Sequence, residues 1–256
     1  MEDDHRRDLL TVPARFMGPP GSANGGYLSG LLASRAGLDG DARAVEVTLR
    51  RPPPLDTPLR VARDALVPGV RLLHDDVLVA EARPATLELD VVDPVPFEVA
   101  KDAETRYAGA VGHPFPTCFV CGTARSVPDG LGLRPGPVGE SGGLTACTWV
   151  PDATLAADGL DVLTEAPAEI PAELVWAALD CPGGWTLDIV GRPAVLGRIT
   201  AQVDALPRVG EPCVVMGRLL RRSGRKGISA TTAYDSDGRV LGRAESVWIE
   251  IDPEKS

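Results

Sequence analysis

Two short stretches of the chain are apolar on almost every side of a helix. One runs from Tyr27 to Ala33, the other from Leu174 to Leu179. A helix without a polar face must be enclosed on most sides. Each stretch is followed by four Val/Leu-rich, partly alternating runs, set apart by Pro, Gly and Asp. The first set is Ala42–Arg51, Thr57–Val67, Val70–Asp76 and Val77–Val91. The second is Ala194–Leu206, Pro212–Gly224, Lys226–Asp235 and Arg239–Asp252, the last two joined by the hairpin signal "DSDGR". The pattern predicts a helix and an antiparallel meander, twice over. The second helix is expected over Pro171–Asp180, ended by the Pro and Gly of "DCPGGW". Leading strands are expected at Leu9–Met17 and Gly143–Pro151.

The two halves can be laid over each other without gaps. With Val47–Asp64 over Ala201–Arg218, Pro53 falls on Pro207, Pro58 on Pro212 and Val61 on Val215. With Asp75–Asp90 over Asp237–Asp252, Asp75, Ala82, Glu88 and Asp90 fall on Asp237, Ala244, Glu250 and Asp252. Helix position, strand count and turn placement agree together, which points to internal duplication. The expected units are 1–92 and 140–256, joined by a Pro/Gly-rich linker, 93–139. A helix packed on a curved sheet in each unit gives an α+β fold.

Composition narrows the class. The chain has 256 residues, 44% hydrophobic and 24% charged, with a formal net charge of −10. That charge argues against nucleic-acid partners, which need clustered cations. No apolar run reaches the roughly 18 residues of a membrane span, so no membrane partner is expected. The start "MEDDHRRDLL" is not a secretory signal, and five cysteines without framework spacing read as reduced thiols, so a cytoplasmic protein is expected.

The doubled helix-and-meander resembles the hotdog superfamily of acyl-thioester enzymes, as a tandem (double) hotdog with two long helices wrapped by a continuous antiparallel β-sheet. "CFVCGTARSVPDGLGLRP" (Cys118–Pro135) is similar to the CxxCG…GL segment of phenylacetate-pathway-type thioesterases, and "NGGYLSGLLA" (Asn24–Ala33) to the start of their hotdog helix. In that group a glycine pair opens the helix, its N–H groups hold the thioester carbonyl, and an acid two turns on attacks or activates water. The resemblance implies one composite site here. The first helix keeps Gly25 and Gly26 but has Ala33 at the acidic position; the second has Ala172 and Glu173 for the glycines but keeps Asp180. The expected activity is hydrolysis of an acyl thioester, coenzyme A being part of the substrate and no separate cofactor being needed. The alternative is a non-catalytic acyl-CoA or lipid binder.

Asp180 and Asn24 are the expected catalytic residues, Gly25 and Gly26 the thioester-binding ones, and Tyr27, Glu173, Trp176 and Arg222 the substrate contacts, with the acyl chain in the seam between the helices. The bland readings stand beside these. The glycines can be a turn, Asn24 an N-cap, Asp180 a solvated turn residue at a helix end, and Glu173 an acid favoured by the helix dipole. Arg218, Arg221, Arg222, Arg225 and Lys226 form a basic hairpin suited to coenzyme A phosphates or simply to solvent. Cys118, Cys121 and His113 suggest zinc, but a closed site needs four ligands and no second pair has the spacing, so no metal is expected. His113 and His74 stand away from either helix start, which argues against hydratase chemistry. A homodimer of the double unit is left open.

Overall fold

A computed structural model describes residues 9–37, 43–64, 66, 68–139, 142–156 and 167–252. Its centre is one antiparallel sheet of eleven strands. The strands are β1 (Leu9–Leu10), β2 (Ala44–Leu49), β3 (Leu59–Ala62), β4 (Val70–His74), β5 (Val77–Ala85), β6 (Gly136–Pro137), β7 (Leu144–Trp149), β8 (Ala194–Val203), β9 (Cys213–Ser223), β10 (Lys226–Tyr234) and β11 (Val240–Glu250). Their order is β1-β3-β4-β5-β2-β8-β11-β10-β9-β7-β6. The order reads as one meander and its mirror, joined where β2 pairs antiparallel with β8 through Val45↔Ala201 and Thr48↔Arg198. That pairing removes an edge strand from each half.

Helices α1 (Gly25–Ala36) and α3 (Ala172–Gly184) lie on the sheet and against each other; α2 (Phe97–Ala103) belongs to the linker. Leu28 and Leu32 of α1 and Val175, Ala177, Ala178 and Leu179 of α3 are wholly buried. Each such aliphatic side chain of Val or Leu size contributes about 1.5–3 kcal/mol. Glycine decides how closely the helices meet. A Cβ on Gly26 would lie 2.6 Å from Asp180 Cβ and 2.7 Å from the Trp176 carbonyl; one on Gly30 would lie 2.5 Å from Glu173 Cα. Spaced by one helical turn, Gly26 and Gly30 let backbone touch backbone.

Several expected boundaries move. The second helix does not stop at Asp180 but runs through Pro182 to Gly184. Pro182 costs the helix a hydrogen bond, but packing holds the last turn down. The Pro182 carbonyl accepts from Thr145 Oγ1 at 2.8 Å, and Gly183 and Gly184 sit against Ser229 and Trp248 with no room for a side chain. The expected strand over Leu9–Met17 shrinks to β1, because Pro13 has no N–H for the ladder and the chain turns through Ala14–Phe16. The expected run to Val91 ends at Ala85, which pairs with Ala44, the first residue of β2; beyond it the strand has no ladder partner among the described residues. The run Thr57–Val67 narrows to β3, and within the expected runs Ala42, Ala65 and Val67 lie outside the described residues.

The linker is more than a spacer. Val92, the residue just before it, is tied to the second half: its N–H donates to Thr232 Oγ1 at 3.0 Å and its carbonyl accepts from Tyr234 Oη at 2.7 Å; the first part of the linker follows, with Ala100 and Ala103 of α2 packed on Val214 and Met216. Its second part returns to the helices. Phe119 is fully buried against Phe16 and Tyr27, and its N–H donates to the Met17 carbonyl at 2.7 Å.

Gly30→Val is expected to lower unfolding stability by about 3 kcal/mol, because the backbone of Glu173 cannot yield to the added carbons. Ser34→Ala, on the exposed side of α1, is expected to stay within about 0.5 kcal/mol. Urea denaturation of both variants measures the difference.

Candidate active site

The start of α1 is built around Asn24. Its backbone is extended, and its side-chain oxygen accepts from Tyr27 N–H at 2.9 Å, an N-cap. The other end of the same amide does a second job: Nδ2 donates to Asp180 Oδ2 at 3.0 Å. Gly26 N–H donates to the same oxygen at 3.0 Å. Asn24 N–H itself donates to the Phe16 carbonyl at 2.8 Å. Of the four N–H groups a helix leaves without internal partners at its start, only that of Gly25 finds no acceptor among the described residues.

Asp180 is therefore not a solvated turn residue. It is 2% exposed, in the interior of α3, and its Oδ1 has no hydrogen-bond partner among the described residues. Burial pushes its pKa up to about 7; Cys118 adds to the rise, while the Gly26 N–H and the Asn24 amide oppose it. The carboxylate of one half is thus fixed to the helix start of the other.

Asn24, Gly25 and Asp180 line a cavity of about 680 Å³, within the range of small-molecule sites. Its walls are mostly apolar and include Leu49, Leu196, Phe115, Trp185, Ile189 and Trp248. Arg50 and Arg51 stand on its lining too. Arg50 is paired with Glu81, whereas Arg51 is exposed and makes no ion pair among the described residues. Cys118, Cys121 and Cys181 form part of the wall beside Asp180, with Cys118 Sγ 3.9 Å from the Asn24 amide nitrogen. Of these thiols Cys118 is the one most disposed to ionise, held below the usual thiol range by hydrogen bonds from Cys121 and Cys181.

No protein-family model matches the chain, and neither does any curated protein sequence. Solved structures do. A TesB protein of Mycobacterium avium subspecies paratuberculosis is 12% identical, with a TM-score of 0.58 over 95% of this chain and 92% of its own. A protein from Alicyclobacillus acidocaldarius, of unknown function and described as having the hot dog fold, is 13% identical, with a TM-score of 0.55 over 96% and 93%. The chain is a double hotdog. An acyl-CoA thioesterase II of Mycobacterium marinum shares the architecture at 10% identity, with a TM-score of 0.54 over 97% and 94%. At such identities the likeness is one of fold.

The double hotdog sorts the expected site residues into two groups. Asn24, Gly25, Gly26 and Asp180 come together. Gly26 differs in role from the expectation: its N–H is occupied by Asp180, and its missing side chain serves the contact with α3. The second group stands off the cavity lining. Tyr27 is stacked on Phe16 with ring centroids 3.7 Å apart. Trp176 is buried, and its carbonyl faces Gly26. Glu173 packs over Gly30, nearly two turns from Asp180. Arg222 pairs with Glu250 on the β9–β10 hairpin, where Arg225 also bonds the Glu250 carbonyl. The seam between the helices, the expected place for the acyl chain, is closed to contact distance at Gly26 and Gly30, while the cavity opens beside the start of α1. Two residues outside the expected set, His113 and Arg51, also line the cavity. His113 does line the cavity, but Nδ1 accepts from Phe115 N–H at 2.9 Å and Nε2 lies 3.1 Å from the Cys121 carbonyl, so both ring nitrogens are engaged. Arg51 carried only the weak signal of a cation at a strand end before "PPP".

Asn24→Ala removes both the cap and the amide that holds Asp180. The expected loss is about 2 kcal/mol, read as a lower denaturation midpoint with an unchanged slope against denaturant.

Proposed function

We propose that the protein hydrolyses acyl thioesters, with acyl-CoA as the class of substrate. The observation that carries this reading is the clamp on Asp180: one carboxylate oxygen held by Asn24 and Gly26, the other without a partner, on the wall of an apolar cavity beside the open N–H of Gly25. The chemistry follows from that arrangement. The thioester carbonyl takes the Gly25 N–H, where the positive end of the α1 dipole favours the charge that grows on oxygen. The fixed carboxylate draws a proton from water as the water adds to the carbonyl carbon, and the thiolate of coenzyme A leaves as the tetrahedral intermediate collapses. Asn24 and Gly26 N–H keep the carboxylate from rotating. The acyl chain lies along Leu49, Leu196 and Trp248, and Arg51 meets phosphate at the mouth. The fold shared with a TesB protein and an acyl-CoA thioesterase II supports the reading at the level of architecture.

A panel of acyl-CoAs, with released thiol as the readout, tests it. Asp180→Asn is expected to lower kcat by at least about 100-fold, the usual worth of a positioned base, while the protein stays folded. Turnover that survives this change, or no turnover of any acyl-CoA by the unaltered protein together with tight binding of one, sinks the hydrolase and leaves a binding protein. Gly25 gives an independent check. Proline is tolerated at the first position of a helix and has no N–H, so Gly25→Pro is expected to cost about 100-fold or more in kcat. Gly25→Ala keeps the N–H, adds the same first carbon against the movable ends of Leu49 and Leu196, and is expected to retain most of the activity.

A further inference from the structure

We propose that Cys118, Cys121 and Cys181 bind one zinc ion through three thiolates, with the fourth coordination position open to the cavity. The three Sγ atoms all lie within 4.8 Å of one another, and Cys118 and Cys181 are 3.9 Å apart. Tetrahedral zinc with Zn–S bonds of about 2.3 Å sets its sulfurs about 3.8 Å apart. All three thiols are buried and none is in a disulfide. The C-x-x-C turn is shaped for presenting two sulfurs together. Gly122 N–H closes onto the Cys118 carbonyl at 2.8 Å, and a Cβ on Gly122 would lie 2.5 Å from the Cys118 and Pro116 carbonyls, so only glycine fits after the second cysteine. The third sulfur comes from the last turn of α3, 63 residues beyond Cys118 along the chain. Reading the sequence for a second closely spaced pair therefore misses it.

Three soft thiolates select zinc over magnesium or calcium. His113 is near, with Nε2 3.4 Å from Cys121 Sγ, but it is oriented as a donor rather than a ligand. Phe115 N–H donates to Nδ1, so the neutral ring carries its proton on Nε2, which is turned to the Cys121 carbonyl. A second donor, Tyr107 Oη, reaches the same carbonyl at 2.9 Å. These contacts orient the turn, as outer partners do at metal sites. Three protein ligands and an open position mark zinc that meets a substrate or water, whereas structural sites are closed by four. The cavity supplies the space: all three cysteines line it beside Asp180. The proposal does not depend on the hydrolase reading, since it rests on the sulfurs alone.

The test uses the full chain, freed of any affinity tag, reduced, loaded with zinc or cobalt(II) and dialysed. About one zinc per chain is expected by elemental analysis, and the cobalt form is expected to show thiolate-to-metal charge-transfer absorption with the intense visible bands of tetrahedral coordination. Cys118→Ser and Cys181→Ser are expected to lose the ion to below about a tenth per chain, while Cys147→Ser and Cys213→Ser, buried in β7 and β9, keep it. His113→Gln is expected to keep the ion as well. Folded, fully reduced wild-type protein that retains no zinc and gives no charge-transfer band overturns the proposal whatever the variants do. Loss of metal in His113→Gln overturns the open fourth position.

Discussion

The approach of α3 to the N-terminus of α1 is the constraint on which the rest of this molecule depends. It is made possible by the absence of two side chains, at Gly26 and Gly30, and it is locked by one carboxylate. Asp180 belongs to the second half, while the groups that hold it, Asn24 Nδ2 and Gly26 N–H, belong to the first. The continuous sheet does the same job on the outside, where β2 and β8 pair across the two halves. A backbone ladder and, at the centre, a buried polar contact thus both join the halves.

A buried acid with one unpartnered oxygen costs stability. Few natural folds keep such a group without a use for it, and here it stands on the wall of a cavity of small-molecule size. The linker completes that wall. It crosses one face of the second half, tied there by α2 and by Val92 just before it, then returns to set Phe115 and the Cys118–Cys121 turn against the start of α1. Without the linker the helix start is open on that side. A segment rich in Pro and Gly is suited to this path, because apart from the two residues of β6 it does not pair in the sheet, and it can turn tightly at Gly122.

Sequence patterns and the packed structure disagree where local preference meets tertiary contact. "DCPGGW" has the composition of a helix end, and in isolation Pro182 and the two glycines favour one. Packed on the sheet, the same small residues let the last turn lie against Ser229 and Trp248, so the helix runs on and Asp180 becomes an interior residue. Tyr27 and Trp176 look like ligand contacts from their place in the chain, yet both spend their rings on the core. Helix periodicity says which residues share a face, but not which neighbour covers that face.

What the amino-acid sequence determined by itself was the repeat: two enclosed helices, two meanders, and the partition of glycines to one helix start and an acid to the other. Periodicity and turn chemistry are local properties, so they survive in a single sequence. Only the tertiary structure decided that the Gly26 N–H is spent on Asp180 while that of Gly25 stays open. Only it placed the cavity beside the helix start instead of between the helices, and brought Cys181 to Cys118 and Cys121. The reason is physical. Those facts are distances between atoms far apart along the chain, set by how closely backbones can pack, and no periodicity records them.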